Sequence, residues 1–126
     1  LRRQTSTPIA AGARENFQKL TELLVQRAVD YLNVSVGFVG GFTMGMKAAA
    51  VAHAFNIPIG NGDHFSQHLH AAVPDGWRAE FSVNNYLVSR VIFRDVPGPV
   101  NGWVTLGDKP GLGVEINEDA VREFRI

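Results

Sequence analysis

The 126-residue sequence contains no cysteine, which excludes disulfide bonds and thiolate metal sites. It has no net charge at neutral pH, since 12 basic residues balance 12 acidic ones, so its composition favours neither a nucleic-acid nor a membrane-surface partner. No apolar run approaches the roughly 18 residues that a membrane span requires. These absences fit a cytoplasmic protein.

Several common motifs are also missing. The glycines in GFVGGF do not have the GxGxxG order of a dinucleotide-binding turn. There is no GxSxG elbow, no Walker sequence and no basic–aromatic stripe. The sequence therefore gives no support to a dinucleotide-dependent enzyme, a serine hydrolase, a P-loop nucleotide-binding protein or a nucleic-acid-binding protein.

The residues that are present predict a folded α/β chain. Hydrophobic residues make up 45 % of the sequence and charged residues 19 %, which are ordinary values for a folded domain. Short apolar segments alternate with stretches of helical periodicity, a pattern typical of parallel βαβ units. The predicted strands are 7–11, 29–36, 57–59 and 77–83, and the predicted helices are 14–26, a helix capped by Thr43 that ends at Asn56, and 67–73.

The C-terminal part of the sequence has a different character. Residues 84–94 have no clear period, and from Val96 onward proline and glycine are frequent, which predicts loops with one short strand. A final helical turn is expected at Asn117 and Asp119 because these residues favour a helix N-terminus. We therefore divide the chain into 1–95 and a loop-rich segment, 96–126.

Four segments resemble a known family when they are taken together in order and spacing. They are TPIAAG, the stretch AVDYLNVSVGFVGGFTMGMKAAAVAHAFNIPI, HLHAAVPDGWRAEF and GDKPGLGVEIN. The PGLGVE segment at 110–115 and the VGG turn at 39–41 are the more specific parts. The chain is similar to the C-terminal half of a mandelate racemase/muconate lactonizing enzyme, a family of the enolase superfamily.

The resemblance implies the C-terminal part, strands five to eight, of a TIM-like (β/α)7β barrel, with 96–126 packing on the barrel and on a capping domain outside the chain. It implies Mg2+-assisted abstraction of the proton next to the carboxylate of a hydroxy acid or acid sugar, as in a racemase, epimerase or dehydratase. The opening LRRQT looks like the end of a helix, so we expect a fragment that is inactive by itself.

The resemblance also supplies candidate site residues. The third metal carboxylate of the family aligns with Ala13, which cannot bind Mg2+, and Glu15 lies two residues on. Glu15 is therefore a candidate metal ligand, and the alternative is a first-turn helix acid. The residue that orients the family's catalytic histidine aligns with Ser35, which is either a substrate contact or an ordinary strand-end serine.

The histidine base of the family aligns with Gly62, but the loop here is shorter. Asp63 and His64 are therefore predicted to act as an acid–base pair, and Asn61 is predicted to contact substrate. The alternative for His64 is simple solvation.

Glu80 matches the glutamate of strand eight, which hydrogen-bonds the substrate carboxylate. Its alternative is a salt bridge with Arg78 or Arg90. The remaining histidines are expected to pack or to lie on the surface; His64 and His68 have a four-residue spacing, which is a weak zinc signal.

Two functions follow from the sequence. The first is the Mg2+-dependent enzyme just described. The second is a degenerate, non-catalytic half barrel that acts as a structural or assembly partner. A half barrel leaves a sheet edge and apolar surface open, so in either case we expect a homo-oligomer or pairing with the missing N-terminal part.

Overall fold

The computed structural model describes residues 1–60 and 65–126. These residues form two compact units, Leu1–Glu80 and Phe81–Ile126. The division between the units thus falls 15 residues earlier in the chain than the boundary drawn from the sequence at residue 95.

The first unit is a parallel α/β arrangement. Its three strands pair in sequential order, with Ala10 opposite Tyr31 and Leu32 opposite Ile59. The parallel βαβ organisation predicted from the sequence is therefore confirmed. The unit contains a 3₁₀ helix at Arg2–Gln4, strands β1 (Ala10–Ala11), β2 (Tyr31–Asn33) and β3 (Ile59–Gly60), and helices α1 (Phe17–Val25), α2 (Val36–Val39), α3 (Gly41–Ala54) and α4 (Ser66–Ala72).

The helices α1 and α3 cover the same face of this sheet. Leu20 of α1 and Ala52 of α3 join Leu32 and Ile59 of the strands in one buried cluster. Side chains alternate between the faces of a strand, so Tyr31 and Asn33, on either side of the fully buried Leu32, lie on the opposite face. We call this second face the inner face.

The fourth strand predicted at 77–83 is not formed. Gly76 makes an isolated bridge to Ile59, and the Trp77 N–H donates to the Ile59 carbonyl over 2.7 Å, but the pairing goes no further. A strand needs a neighbouring edge to pair with, and the described part of β3 consists of the two residues Ile59–Gly60. Residues 77–82 therefore have no strand assignment and form no ladder with the described residues.

Two helix starts and one turn also differ from the prediction. The Asn16 side chain accepts the N–H of Lys19 over 3.0 Å, so α1 begins at Phe17 rather than near residue 14. Thr43 is not an N-cap, because α3 already begins at Gly41, directly after Gly40 with φ of 103°. The preceding segment, Val36–Val39, forms the short helix α2, where the sequence predicted the end of a strand followed by a glycine turn.

The second unit contains two helices and two small antiparallel ladders. The ladders pair β4 with β7 and β5 with β6, where the sequence predicted one strand. The helix predicted to follow Asn117 is confirmed, whereas α5 was missed. The elements are α5 (Val83–Ile92), β4 (Phe93–Arg94), β5 (Pro99–Val100), β6 (Trp103–Val104), β7 (Glu115–Ile116) and α6 (Glu118–Glu123).

Within the described residues, no helix combines the length and apolarity needed to cross a membrane.

Candidate active site

The carboxyl ends of the three parallel strands meet at one edge of the first unit. β1 leads into Gly12 and Ala13, β2 leads into Val34 and Ser35, and β3 ends at Gly60. This is the edge at which parallel α/β folds collect their chemistry. Three of the predicted site residues, Asn61, Asp63 and His64, lie outside the described residues.

Gly12 fixes the position of Ala13 at this edge. A Cβ on Gly12 would lie 2.6 Å from Leu20 Cδ2 and 2.7 Å from the Asn33 carbonyl oxygen, and φ is 119°. Only glycine fits this close crossing between α1 and β2. The following residue, Ala13, offers a methyl group where a metal ligand would need an oxygen atom.

Glu15 is exposed and lies just before α1. Its N–H donates to the Gly12 carbonyl over 3.0 Å, and the N-cap Asn16 separates it from the helix. The first turn of α1 contains no acidic residue, so the alternative interpretation of Glu15 as a first-turn acid is wrong. Its role as a metal ligand remains a prediction.

Ser35 is buried, with 5 % of its surface exposed. Its carbonyl accepts the N–H groups of Phe38 and Val39, which starts α2. The next N–H, that of Val36, donates to the hydroxyl oxygen of Ser66 over 3.0 Å. The first residue of α4 therefore fixes the end of β2, and little of Ser35 is open to a substrate in this conformation.

An aromatic pair lies on the inner face beside these strand ends. The rings of Tyr31 and Trp77 stack with centroids 3.8 Å apart and an interplanar angle of 17°. A Cβ on Gly60 would lie 3.4 Å from Trp77 Cε3 and 3.5 Å from Asn33 Oδ1. The indole therefore passes across β3 over Gly60 to reach Tyr31 on β2.

Arg78 completes this group, with its guanidinium carbon 5.7 Å from the centre of the Trp77 ring. The sequence analysis assigned Trp77 only to a strand and did not connect it with Tyr31. The available signal was an aromatic residue on each of two predicted strands, with a glycine directly after the predicted strand between them.

Glu80 is the last residue of the first unit and is exposed. Among the described residues of that unit it has no ion-pair partner, so the alternative salt bridge with Arg78 is not formed. The other proposed partner, Arg90, has its guanidinium carbon 5.6 Å from the centre of the Tyr86 ring.

The helical histidines have packing or surface surroundings. His53 Nδ1 contacts the Asp75 carboxylate in an exposed pair. His68 lies edge-on to Phe42, with ring centroids 6.5 Å apart.

In the two described ranges, no three side chains of the histidine, cysteine, aspartate or glutamate type come close enough to hold a metal ion. Mg2+ takes near-octahedral oxygen coordination through carboxylates, water and substrate. With Ala13 at the expected ligand position, the described residues do not fit a magnesium site by themselves.

The family profile of enolase C-terminal domain-like proteins matches residues 1–120, and the chain therefore belongs to this family. The resemblance to mandelate racemase/muconate lactonizing enzymes, within the enolase superfamily, is thereby confirmed.

A D-galactonate dehydratase family member from Enterococcus gallinarum is 30 % identical over 98 % of this chain and 33 % of its own length. The crystal structure of a mandelate racemase/muconate lactonizing enzyme superposes with a TM-score of 0.88 at 30 % identity, over 99 % of this chain and 35 % of that one. An enolase from Pantoea ananatis with bound D-gluconate and Mg superposes with a TM-score of 0.83 at 26 % identity, over 98 % of this chain and 32 % of that one. The chain thus spans about a third of the length of the proteins it matches.

Proposed function

We propose that the chain is the C-terminal part, strands five to eight, of the barrel of an enzyme that removes the proton next to the carboxylate of a hydroxy acid or acid sugar. The observation that carries this proposal is the sequential parallel order of β1, β2 and β3 with α1 and α3 on one face. Sequential parallel strands with helices on one face are typical of a barrel wall, whereas a doubly wound sheet has helices on both faces. Residues 96–126 would then pack on the barrel and on a capping domain outside the chain.

Among racemase, epimerase and dehydratase chemistry, we favour dehydration. The relative from Enterococcus gallinarum carries that name, and the protein from Pantoea ananatis binds an acid sugar. A cytoplasmic location agrees with an acid-sugar enzyme that contains no cysteine.

Each site residue has a proposed role. His64 takes the proton, because an imidazole titrates near neutral pH, and Asp63 is its partner. Glu80 hydrogen-bonds the substrate carboxylate, and Asn61 contacts the substrate. Ser35 is proposed to contact it through the small part of its surface that is exposed. Support comes from the strand ends that bring Ser35 and Gly60 to one edge, and from the absence of an ion pair on Glu80 within the described residues of its unit.

A metal ion for this chemistry would need most of its ligands from elsewhere. The Pantoea ananatis protein holds Mg, and Mg2+ assistance is proposed here on that basis. The described residues of this chain do not form the site, so its carboxylates would come from the part of the barrel outside the chain. Glu15 is the carboxylate of this chain that we assign to it.

The test is an activity assay on the complete protein, with Mg2+ and a panel of acid sugars that includes D-gluconate and D-galactonate. Deuterium wash-in next to the carboxylate and formation of a 2-keto product are measured. Replacing His64 with Asn should lower kcat by about 10²-fold or more, as loss of a general acid or base does. Glu80→Gln changes the group that hydrogen-bonds the substrate carboxylate and should also lower activity. The control His53→Asn changes a surface histidine and should keep full activity.

The 126-residue chain alone should give no turnover. A complete protein that catalyses no exchange and forms no product with any acid sugar of the panel would refute the enzymatic proposal.

The second candidate function is a non-catalytic structural or assembly partner. Ala13 in place of a carboxylate is the observation that favours it. Both candidates require a partner for this chain, and they differ in whether the assembled protein turns over substrate.

A further inference from the structure

The inner face of the first unit presents an open aromatic surface next to a positive charge. One face of the Trp77 ring is covered by Tyr31, yet Trp77 retains 44 % of its exposure. Arg78 is exposed and lies beside the same ring. We call these two side chains the Trp77–Arg78 surface.

The charge of Arg78 is uncompensated among the described residues of its unit. Arg2, in contrast, is paired with the carboxylate of Asp30 over 2.7 Å. Arg78 has its ring contact and no carboxylate within ion-pair distance in the described part of the unit. A guanidinium group presents a planar fork of N–H donors that matches a carboxylate in a two-point hydrogen bond.

The location of the surface distinguishes it from other arginine–aromatic contacts of the chain. Gly60 ends β3 at the carboxyl edge of the sheet, and both the Trp77 ring and the Asn33 amide lie over it. The backbone oxygen of Arg78 would lie 3.2 Å from a Cβ on the same glycine. The Trp77 ring and the Asn33 amide thus adjoin one point of the strand-end edge, and the guanidinium of Arg78 lies over that ring.

We propose that Trp77 and Arg78 bind the substrate directly, which rests on the proposed function and adds two residues to it. The ligand class is a polyhydroxylated carboxylate. Arg78 pairs with its carboxylate, the exposed part of the Trp77 indole packs against the C–H groups of its carbon chain, and Asn33 hydrogen-bonds a hydroxyl group. Neither the Arg78 charge alone nor the Trp77 ring alone would distinguish a polyhydroxylated carboxylate from other ligands.

The test measures binding to the 126-residue chain without metal, by fluorescence of Trp77 and by calorimetry. The chain has two tryptophans, so Trp103→Phe leaves Trp77 as the single indole reporter. D-gluconate should quench Trp77 saturably. D-glucitol, which lacks the carboxylate, and acetate, which lacks the carbon chain, should each bind about tenfold more weakly because each loses one of the two contacts.

Arg78→Met should raise the Kd for D-gluconate about tenfold, since it removes a charge-assisted hydrogen bond. Arg90→Met is the matched control, because its guanidinium carbon lies 5.6 Å from the Tyr86 ring in the second unit. That variant should keep the Kd within about twofold, as expected for an exposed charge that does not touch the ligand. In the complete protein, Arg78→Met should raise KM and leave kcat nearly unchanged.

No saturable quenching by D-gluconate, or equal Kd values for Arg78→Met and Arg90→Met, would overturn the proposal. Equal binding of D-glucitol and D-gluconate would overturn the role of Arg78 as the carboxylate partner. The binding assay contains no metal and requires no turnover, so its failure is separate from failure of the activity assay.

Discussion

At the scale of single residues, Gly12 is the position where the fold leaves least freedom. A side chain there would meet both Leu20 of α1 and the backbone of Asn33, with φ in the left-handed region. Gly12→Ala should therefore lower the free energy of unfolding by about 2–4 kcal/mol, from backbone strain together with overpacking. Urea unfolding followed by circular dichroism measures the change.

Gly37→Ala is the control for this prediction, since Gly37 belongs to the same unit. The nearest atom to its added Cβ would be Ser35 Oγ at 3.9 Å, and its φ is not positive. The free energy of unfolding should stay within about 1 kcal/mol of the original, because alanine is also the better helix former in α2. Equal losses for both variants would show that the crossing at Gly12 tolerates a side chain.

The residues at the strand ends differ in how far the sequence could predict them. The sequence analysis placed Ala13 just after the first strand, where the structure also has it, whereas Glu80 does not follow a strand in the described residues. The contact of Trp77 with Tyr31 could not be predicted, because it joins residues 46 positions apart and depends on the register between strands. That Gly60 leaves room for the Trp77 ring to cross β3 can be recognised only once that register is known.

At the scale of elements, helices with a buried stripe were predicted well. Helix α1 buries Leu20 and Leu24, four residues apart, which is the spacing that the sequence analysis used. Helix α5 was missed although Ser82 caps it by accepting the N–H of Asn85, and although its apolar residues recur at helical spacing. The strand predicted at 77–83 failed because a strand depends on a neighbouring edge, which local sequence does not encode.

The N-terminal 3₁₀ helix is held to the sheet by one carboxylate. Asp30 accepts hydrogen bonds from Arg2 Nε over 2.7 Å and from the Ile9 N–H over 2.9 Å. The hydrogen bond from Arg2 is the main reason that the pKa of Asp30 lies below its usual value of 3.8, and the Ile9 N–H adds to this. A lowered pKa in the folded state means that this contribution to stability is present above about pH 4 and is lost as the pH falls further.

Asp30→Asn should therefore lower the Tm by a few degrees at pH 7, and the difference from the original chain should shrink at pH 3. Thermal unfolding at the two pH values measures both effects. Asp108→Asn, at an exposed position of the second unit, is the control and should change the Tm little at either pH. A Tm difference for Asp30→Asn that is equal at both pH values would contradict the role assigned to the ionised carboxylate.

At the scale of the whole molecule, apolar surface on the second unit is the observation behind the expected partner. Val88 and Val91 of α5 and Val121 and Phe124 near α6 line a cavity of about 590 Å³. These four side chains are between 43 % and 64 % exposed. Monomeric proteins seldom leave a contiguous apolar surface of this kind open, and the chain covers only a third of its relatives.

We therefore expect the 126-residue chain to self-associate in sedimentation experiments. Replacing both Val88 and Val91 by lysine should return it to the monomer, because burying two unpaired charges costs more free energy than the apolar contact provides. Val100→Lys, on the exposed strand β5 of the same unit, is the control and should leave association unchanged. If the proposed N-terminal part of the barrel is added as a separate polypeptide, it should replace self-association by a one-to-one complex, since the same surface would serve both contacts. A chain that stays monomeric with a cooperative melt would contradict the assembly role, whereas a one-to-one complex that turns over an acid sugar would favour the enzyme.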